Sequence, residues 1–168
     1  GYSISKAAVF EENNVLYVEE DADIYFEEFE KFNGLTIGMY RYSTMEEELD
    51  KYAAQNGFSY ERRYYDDENK MLADVEHGII DAAVSGTLTY VDENVKNVAT
   101  FGKHEFYFVG ASNMQPIIDE LDNTITCYNM QNNTYIQSLY DAEYWQSKAS
   151  YVALTREEHE YVIDHPII

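Results

Sequence analysis

Leu35 to Gly57, LTIGMYRYSTMEEELDKYAAQNG, decides how the rest of the chain is organised. Leu35, Ile37 and Met39 alternate with smaller or polar residues, the period-two pattern of a strand. Ser43 and Glu46 then spell the S-x-x-E capping box, and Met45, Leu49, Tyr52 and Ala53 recur at helical spacing. Asn56-Gly57 supplies a left-handed residue to end the helix. A strand delivered straight into a capped helix N-terminus is the first half of a βαβ unit. It presents free backbone N–H groups and the positive end of the helix dipole to whatever sits above the strand. A small anionic group bound by this protein is expected here first.

Working outward, Phe58 to Tyr65 (FSYERRYY) alternates aromatic and charged residues and predicts a second strand. Asp66-Asp67 caps a helix with Met71, Leu72 and Val75 inward, ended by Gly78. Ile79 to Val84 is an apolar run suited to a buried parallel strand. Short connections in this β-α-β-α-β order imply a right-handed, mainly parallel sheet with helices on its faces. Upstream, residues 1–14 carry only a weak pattern. Val15 to Val18 reads as a short strand, and Ile24, Tyr25, Phe26 and Phe29 as one or two amphipathic helical turns before Asn33-Gly34. Downstream, Ser85-Gly86-Thr87 leaves the third strand at its C-terminal end. Val95 to Ala99 and Glu105 to Ala111 predict two further strands. Pro116 suits a first helical residue, followed by Ile117, Ile118, Leu121, Ile125 and Tyr128 at helical spacing. A second helix is expected over Thr134 to Trp145. The tail restarts at Thr155, with Glu158 completing a second capping box, and stops at Pro166. No internal repeat or low-complexity segment appears.

Hydrophobic residues make up 45% of the 168 positions and 17 are tyrosines, so the chain folds rather than remaining an acidic tail. Its 32 acids against 11 bases give a net charge of −21, which repels phosphate backbones and anionic lipid alike and argues against nucleic-acid binding. One cysteine, Cys127, excludes an internal disulfide and a cysteine-based zinc site; its helical surroundings predict a buried, inert thiol. No apolar run approaches the roughly 20 residues needed to cross a bilayer. The ends, GYSISKAAVF and HPII, read as those of a piece excised from a longer protein. Enzymatic motifs are missing: His77, His104, His159 and His165 never take H-E-x-x-H spacing, and no G-x-S-x-G, P-loop or G-x-G-x-x-G occurs. No EF-hand loop is present, and no cofactor or metal is expected.

Three stretches together carry a family resemblance. FNGLTIGMYRYSTMEEELDKYA is similar to a strand, small-polar turn and helix; ENKMLADVEHGIIDAAVSG to a helix–Gly–hydrophobic–Asp–Ala stretch with Gly78, Asp81 and Ala82 in place; EFYFVGASNMQPIIDELDNTI to a return strand and helix. In that order they resemble the second lobe of type II periplasmic solute-binding domains of the family serving polar amino acids. The tail LTREEHEYVIDHPII resembles the linker that precedes a further binding domain in tandem sensor proteins. The resemblance implies a three-layer α/β/α fold with C-terminal helices. It divides the chain into a hinge strand and acidic lead-in (1–33), a binding lobe (34–103), a return strand and helices (104–147) and a linker (148–168). The implied function is non-enzymatic sensing of a small polar molecule, such as an amino acid or carboxylate. The module would lie outside the cell or in the periplasm, tethered to a membrane signalling protein, with ligand-driven closure as its mechanism. The alternative is a degenerate lobe that binds no small molecule and only spaces or dimerises.

By the same resemblance Tyr42, Ser43 and Thr44 match the carboxylate-holding turn, and Ser85 and Gly86 lie at the strand end that faces the ligand. Helix capping accounts for Ser43 equally well. Arg41 suits either a bidentate anion clamp or a surface charge. The acid that usually pairs with a ligand ammonium aligns with Gly86, which offers no charge. Asp81, a carboxylate in an apolar strand, is expected to make local structural hydrogen bonds.

Overall fold

The computed structural model describes residues 1–87, 89, 91, 94–131 and 153–165, and its elements follow from the alternation just described. Strand β3 (Leu35–Tyr40) buries both faces: Ile37 and Met39 point one way and Gly38 the other. It runs parallel to β4 (Tyr60–Tyr65) and to β5 (Ala82–Gly86). The ten-residue β2 (Phe10–Glu19) lies antiparallel to β5, with Asn14 opposite Gly86 and Val18 opposite Ala82. With β6 (Val95–Phe106) the order is β4-β3-β5-β2-β6. A separate ribbon pairs β1 (Tyr2–Ile4) antiparallel with β7 (Val109–Ala111).

Helix α1 (Thr44–Asn56) starts where its cap predicts. Ser43 Oγ accepts from the Met45 N–H at 3.0 Å, and Gly57, at φ 77°, ends the helix with its N–H on Ala53 O. The expected reciprocal half of the box is absent: Glu46 turns instead to Tyr64 Oη at 2.7 Å and Arg62 Nε at 3.3 Å. A neighbouring strand that offers a phenol and a guanidinium outcompetes one backbone N–H. Helix α2 (Glu68–Glu76) is capped by Asp67, whose carboxylate accepts from Lys70 N at 2.8 Å. Helix α3 (Gln115–Gln131) and helix α4 (Arg156–Asp164) follow, the latter with its Thr155–Glu158 capping box fully formed.

Several boundaries differ from the sequence expectation. β5 begins at Ala82 rather than Ile79, because Asp81 is used elsewhere: its N–H donates to Thr36 O (3.1 Å) and its Oδ2 accepts from Thr36 N (2.7 Å). The role is structural, as expected, but the partner is 45 positions away rather than local. The run expected as two strands, 95–99 and 105–111, is one twelve-residue strand followed by the short β7. The amphipathic turn is a 3₁₀ turn at Phe29–Phe32, and β1 had no counterpart in the sequence reading. The helix expected over 134–145 falls outside the described residues. Cys127 is exposed rather than buried. Ile118 and Asp122 form the inward side of α3, and at about 3.6 residues per turn Cys127 lies half-way round from Ile118.

The chain divides into two compact units, residues 1–12 with 103–145 and residues 13–102 with 146–168. The second holds the larger core, in two layers. On one face of the sheet Leu49 and Ala53 of α1 pack against Leu16, Val18, Ile37, Met39, Ala82 and Val84. On the other, Met71, Leu72 and Val75 of α2 pack against Val15, Tyr17, Tyr65 and Ala83. Helices on opposite faces of one sheet make the unit doubly wound. Gly38 lets α2 approach: a Cβ there would stand 2.7 Å from Ile80 Cδ1 and 2.8 Å from Met71 Cγ. Gly102, inside β6 at φ +63°, is a second tight point, where a Cβ would meet Glu48 Oε2 at 1.9 Å and Asn14 Nδ2 at 2.8 Å. In the first unit, the buried Asp122 carboxylate of α3 accepts the N–H groups of Lys6 (2.9 and 3.0 Å) and Ala7 (2.9 Å).

Two outcomes follow. Gly38→Ala overpacks the α2 layer and lowers stability by about 1–3 kcal/mol, read as an earlier denaturant midpoint at unchanged slope. The backbone donors of Ala7 and Lys6 hold the Asp122 carboxyl below its ordinary value of 3.8. The stabilisation this gives is present above the ordinary value and is lost as pH falls through the lower folded one. The Lys6 and Ala7 amide shifts therefore titrate together with a midpoint below 3.8.

Candidate functional site

β3 leads through α1 to β4 on one side, and β4 leads through α2 back across to β5 on the other. The winding direction thus reverses between β3 and β5, and open α/β sheets bind ligands in the crevice outside the carboxyl ends of such a strand pair. The C-termini of β3, β4 and β5 and the N-termini of α1 and α2 share that end of the unit.

The α1 side of this end is rich in donors. Ser43 Oγ accepts from Met45 N–H through one of its two lone pairs, which leaves its hydroxyl proton for an outside acceptor. Thr44 opens the helix, so its N–H has no intrahelical partner, and the helix dipole adds a positive field. Tyr42 stands at φ 60° with 90% of its surface exposed, a left-handed backbone that costs a bulky residue about 1–2 kcal/mol. Arg41 does not reach for the turn; its guanidinium lies 4.1 Å from the Tyr64 ring centroid and 5.9 Å from that of Tyr42.

The α2 side is acidic. Strand alternation puts the buried Ser85 on this face and Gly86 on the α1 face. Ser85 Oγ donates to Glu68 Oε1 and lies 2.6 Å from Thr89 Oγ1, which itself donates to the same carboxylate oxygen at 3.1 Å. Two hydroxyls thus fix the carboxylate of the first residue of α2. Its field is felt next door, where desolvation first, then Glu68 and Asp67, push the Tyr40 phenol above its ordinary range. Glu68 was missed in the sequence reading. It sits beside the Asp67 cap and looks like one more helix-start acid, and only the hydroxyls of Ser85 and Thr89 mark it out.

No protein-family model matches the chain, and no curated protein sequence matches it. Solved structures do. The second substrate-binding domain of GlnP from Lactococcus lactis, in open conformation, superposes with a TM-score of 0.64 at 14% identity, over 85% of this chain and 62% of that one. A mutant of ArgBP from T. maritima gives 0.59 at 16% identity over 86% and 62%. An ancestral arginine-binding protein bound to glutamine gives 0.58 at 21% identity over 84% and 63%. The fold is that of a type II periplasmic-binding-protein lobe. The chain spans about three fifths of the length of these structures.

Within this fold, Tyr42, Ser43, Thr44, Ser85 and Gly86 all fall at the carboxyl ends of β3 and β5, with Ser85 on the α2 face and Gly86 on the α1 face. A concavity lined by Glu19, Glu20, Asp21, Glu76, His77 and Asn94 lies at the other end of the sheet. Among the described residues no His, Cys, Asp and Glu group is arranged to hold a metal ion, and no helix is long and apolar enough to cross a membrane. If Glu68 sets the field at this rim, Glu68→Gln lowers the Tyr40 pKa toward the ordinary phenol range. Carbon-13 titration of labelled tyrosine reads the shift, and an unmoved Tyr40 would place that field elsewhere.

Proposed function

We propose that the chain is a non-enzymatic sensing module that holds an α-amino acid at the strand-end rim of its larger unit. One observation carries this reading. At the crevice between β3 and β5 the α1 side offers Ser43, Thr44 and a helix N-terminus for a carboxylate, and the α2 side offers a hydroxyl-braced carboxylate, Glu68, for an ammonium. The complementary signs suit a zwitterion better than a simple anion. The exposed Tyr42 ring adds a face on which an apolar side chain packs. The solved structures of like fold are support of the same kind, since one is an arginine-binding protein bound to glutamine.

The module belongs, in this proposal, to an extracellular or periplasmic part of a membrane-tethered signalling protein. The resemblance of LTREEHEYVIDHPII to a tandem-sensor linker supports that setting. Ligand binding then acts by shifting a conformational population toward the state that binds more tightly. Gly86 favours a second reading, in which the lobe takes no small molecule and serves as a spacer or homodimer contact.

Thermal unfolding against a panel of amino acids separates the two. A ligand at about 100 times its dissociation constant adds about 2.7 kcal/mol, or roughly 5–10 °C for a chain of this size. That shift is expected in the wild type. It should be lost for every ligand in Ser43→Ala/Thr44→Ala, and in Glu68→Gln for ligands carrying an ammonium group. A flat response across amino acids and small carboxylates would establish the spacer.

A further inference from the structure

Helix α4 buries no residue, and Tyr161, Val162 and Ile163 in its last turns are 64%, 55% and 63% exposed. Nine residues are too few for a helix to persist alone in water, even with its Thr155–Glu158 capping box. Something other than burial keeps it formed, and among the described residues the contacts that do so lie in its first turn. Arg156 meets Glu28 with two parallel bonds, Nε to Oε1 at 2.7 Å and Nη2 to Oε2 at 3.0 Å. Its third nitrogen, Nη1, reaches Asp23 at 2.8 Å. The guanidinium lies 4.3 Å from the Tyr25 ring centroid, Lys96 Nζ is 4.8 Å from that ring, and the His159 ring is 4.9 Å from it. Leu154 O accepts from Phe26 N at 3.1 Å, so the strand of chain entering the helix is fixed as well.

The receiving surface has contacts of its own besides those to Arg156. Lys31 pairs with both Asp23 (2.7 Å) and Glu28 (3.4 Å), and Glu28 Oε2 also accepts from Tyr25 N at 3.1 Å. The two carboxylates and the ring are thus held in one orientation, ready for a planar donor. A guanidinium fork satisfies two carboxylates and stacks on an aromatic face at the same time, which the point charge of a lysine does not.

We infer that residues 153–165 form a strap clasped to the larger unit through Arg156, so that α4 is held on that unit in a fixed direction rather than as a free tether. Because the guanidinium is partly and the Asp23 carboxylate largely open to solvent, the clasp is a salt-sensitive one that loosens without unfolding the core. Any reorientation of the unit then carries α4 with it as part of the same body.

Nitrogen-15 relaxation on the full chain tests this. In the wild type at low salt the backbone amides of 156–163 are expected to match the core, with order parameters of about 0.85. In Arg156→Ala they fall below about 0.6, and in Arg156→Lys most of that loss remains. Glu28→Gln reproduces the effect from the other side, because it weakens both bonds to the guanidinium. Raising ionic strength from about 0.01 M to about 1 M loosens the wild-type strap in the same direction. The amides of Leu49 and Val84 report that the core is intact throughout. Order parameters already below about 0.6 in the wild type, or unchanged in Arg156→Ala and Glu28→Gln alike, overturn the inference.

Discussion

Two-sided burial of β3 is the constraint from which the rest of the larger unit follows. Ile37 and Met39 need a helix on one face, and Gly38 admits one very closely on the other. Only a chain that crosses the sheet once in each direction supplies both. That places α1 and α2 on opposite sides, reverses the strand order between β3 and β5, and opens a crevice at their carboxyl ends. The site is therefore a by-product of packing. Its chemical character is set afterwards, by which residues start the two helices. Ser43-Thr44 begins one and Asp67-Glu68 the other, so one rim holds donors on one side and a carboxylate on the other.

The acid surplus constrains how the few cations are used. Arg62 serves Glu46 and Asp50, Arg156 serves Glu28 and Asp23, Lys31 serves Asp23 and Glu28, and Lys103 serves Glu11 and Glu105. Isolated surface pairs of this kind contribute at most about 1 kcal/mol each. Sharing one cation between two acids gives less stability than orientation. Each such cation ties two elements, or an element and a loop, into one arrangement. The uncompensated acids lie elsewhere, and repulsion among them is tolerated because the apolar layers under α1 and α2 supply the cohesion.

Sequence reading reached the architecture because its signals were local and mutually consistent. Ser43, Gly57 and Asp67 are caps whose geometry depends on a few neighbouring residues, and Leu49, Met71 and Val75 mark helical faces by spacing alone. It failed where the deciding partner was distant. Glu46 left its capping box for Tyr64 and Arg62, eighteen and sixteen positions away. Asp81 was spent on Thr36, which delayed β5. The polar stretch GKHEF hid the continuation of β6, because only its pairing, not its composition, makes it a strand. Cys127 was placed inside on periodicity, although α3 turns just Ile118 and Asp122 inward. Of the site, the α1 half was readable as a turn and a cap. Glu68 was not, because the hydroxyls that single it out come from the end of β5 and the turn after it, seventeen and twenty-one residues along the chain.

Gly102 sits within β6 in a left-handed conformation, with Glu48 Oε2 occupying the space where a side chain would begin and Asn14 Nδ2 donating to that same oxygen at 2.6 Å. Three positions on three different elements thus share one small volume. A larger residue at 102 would have to evict the carboxylate of Glu48, and a Glu48 without Asn14 would lose the donor that holds it there. The trio therefore acts as one joint, which fastens α1 to β2 and β6 at that edge of the sheet.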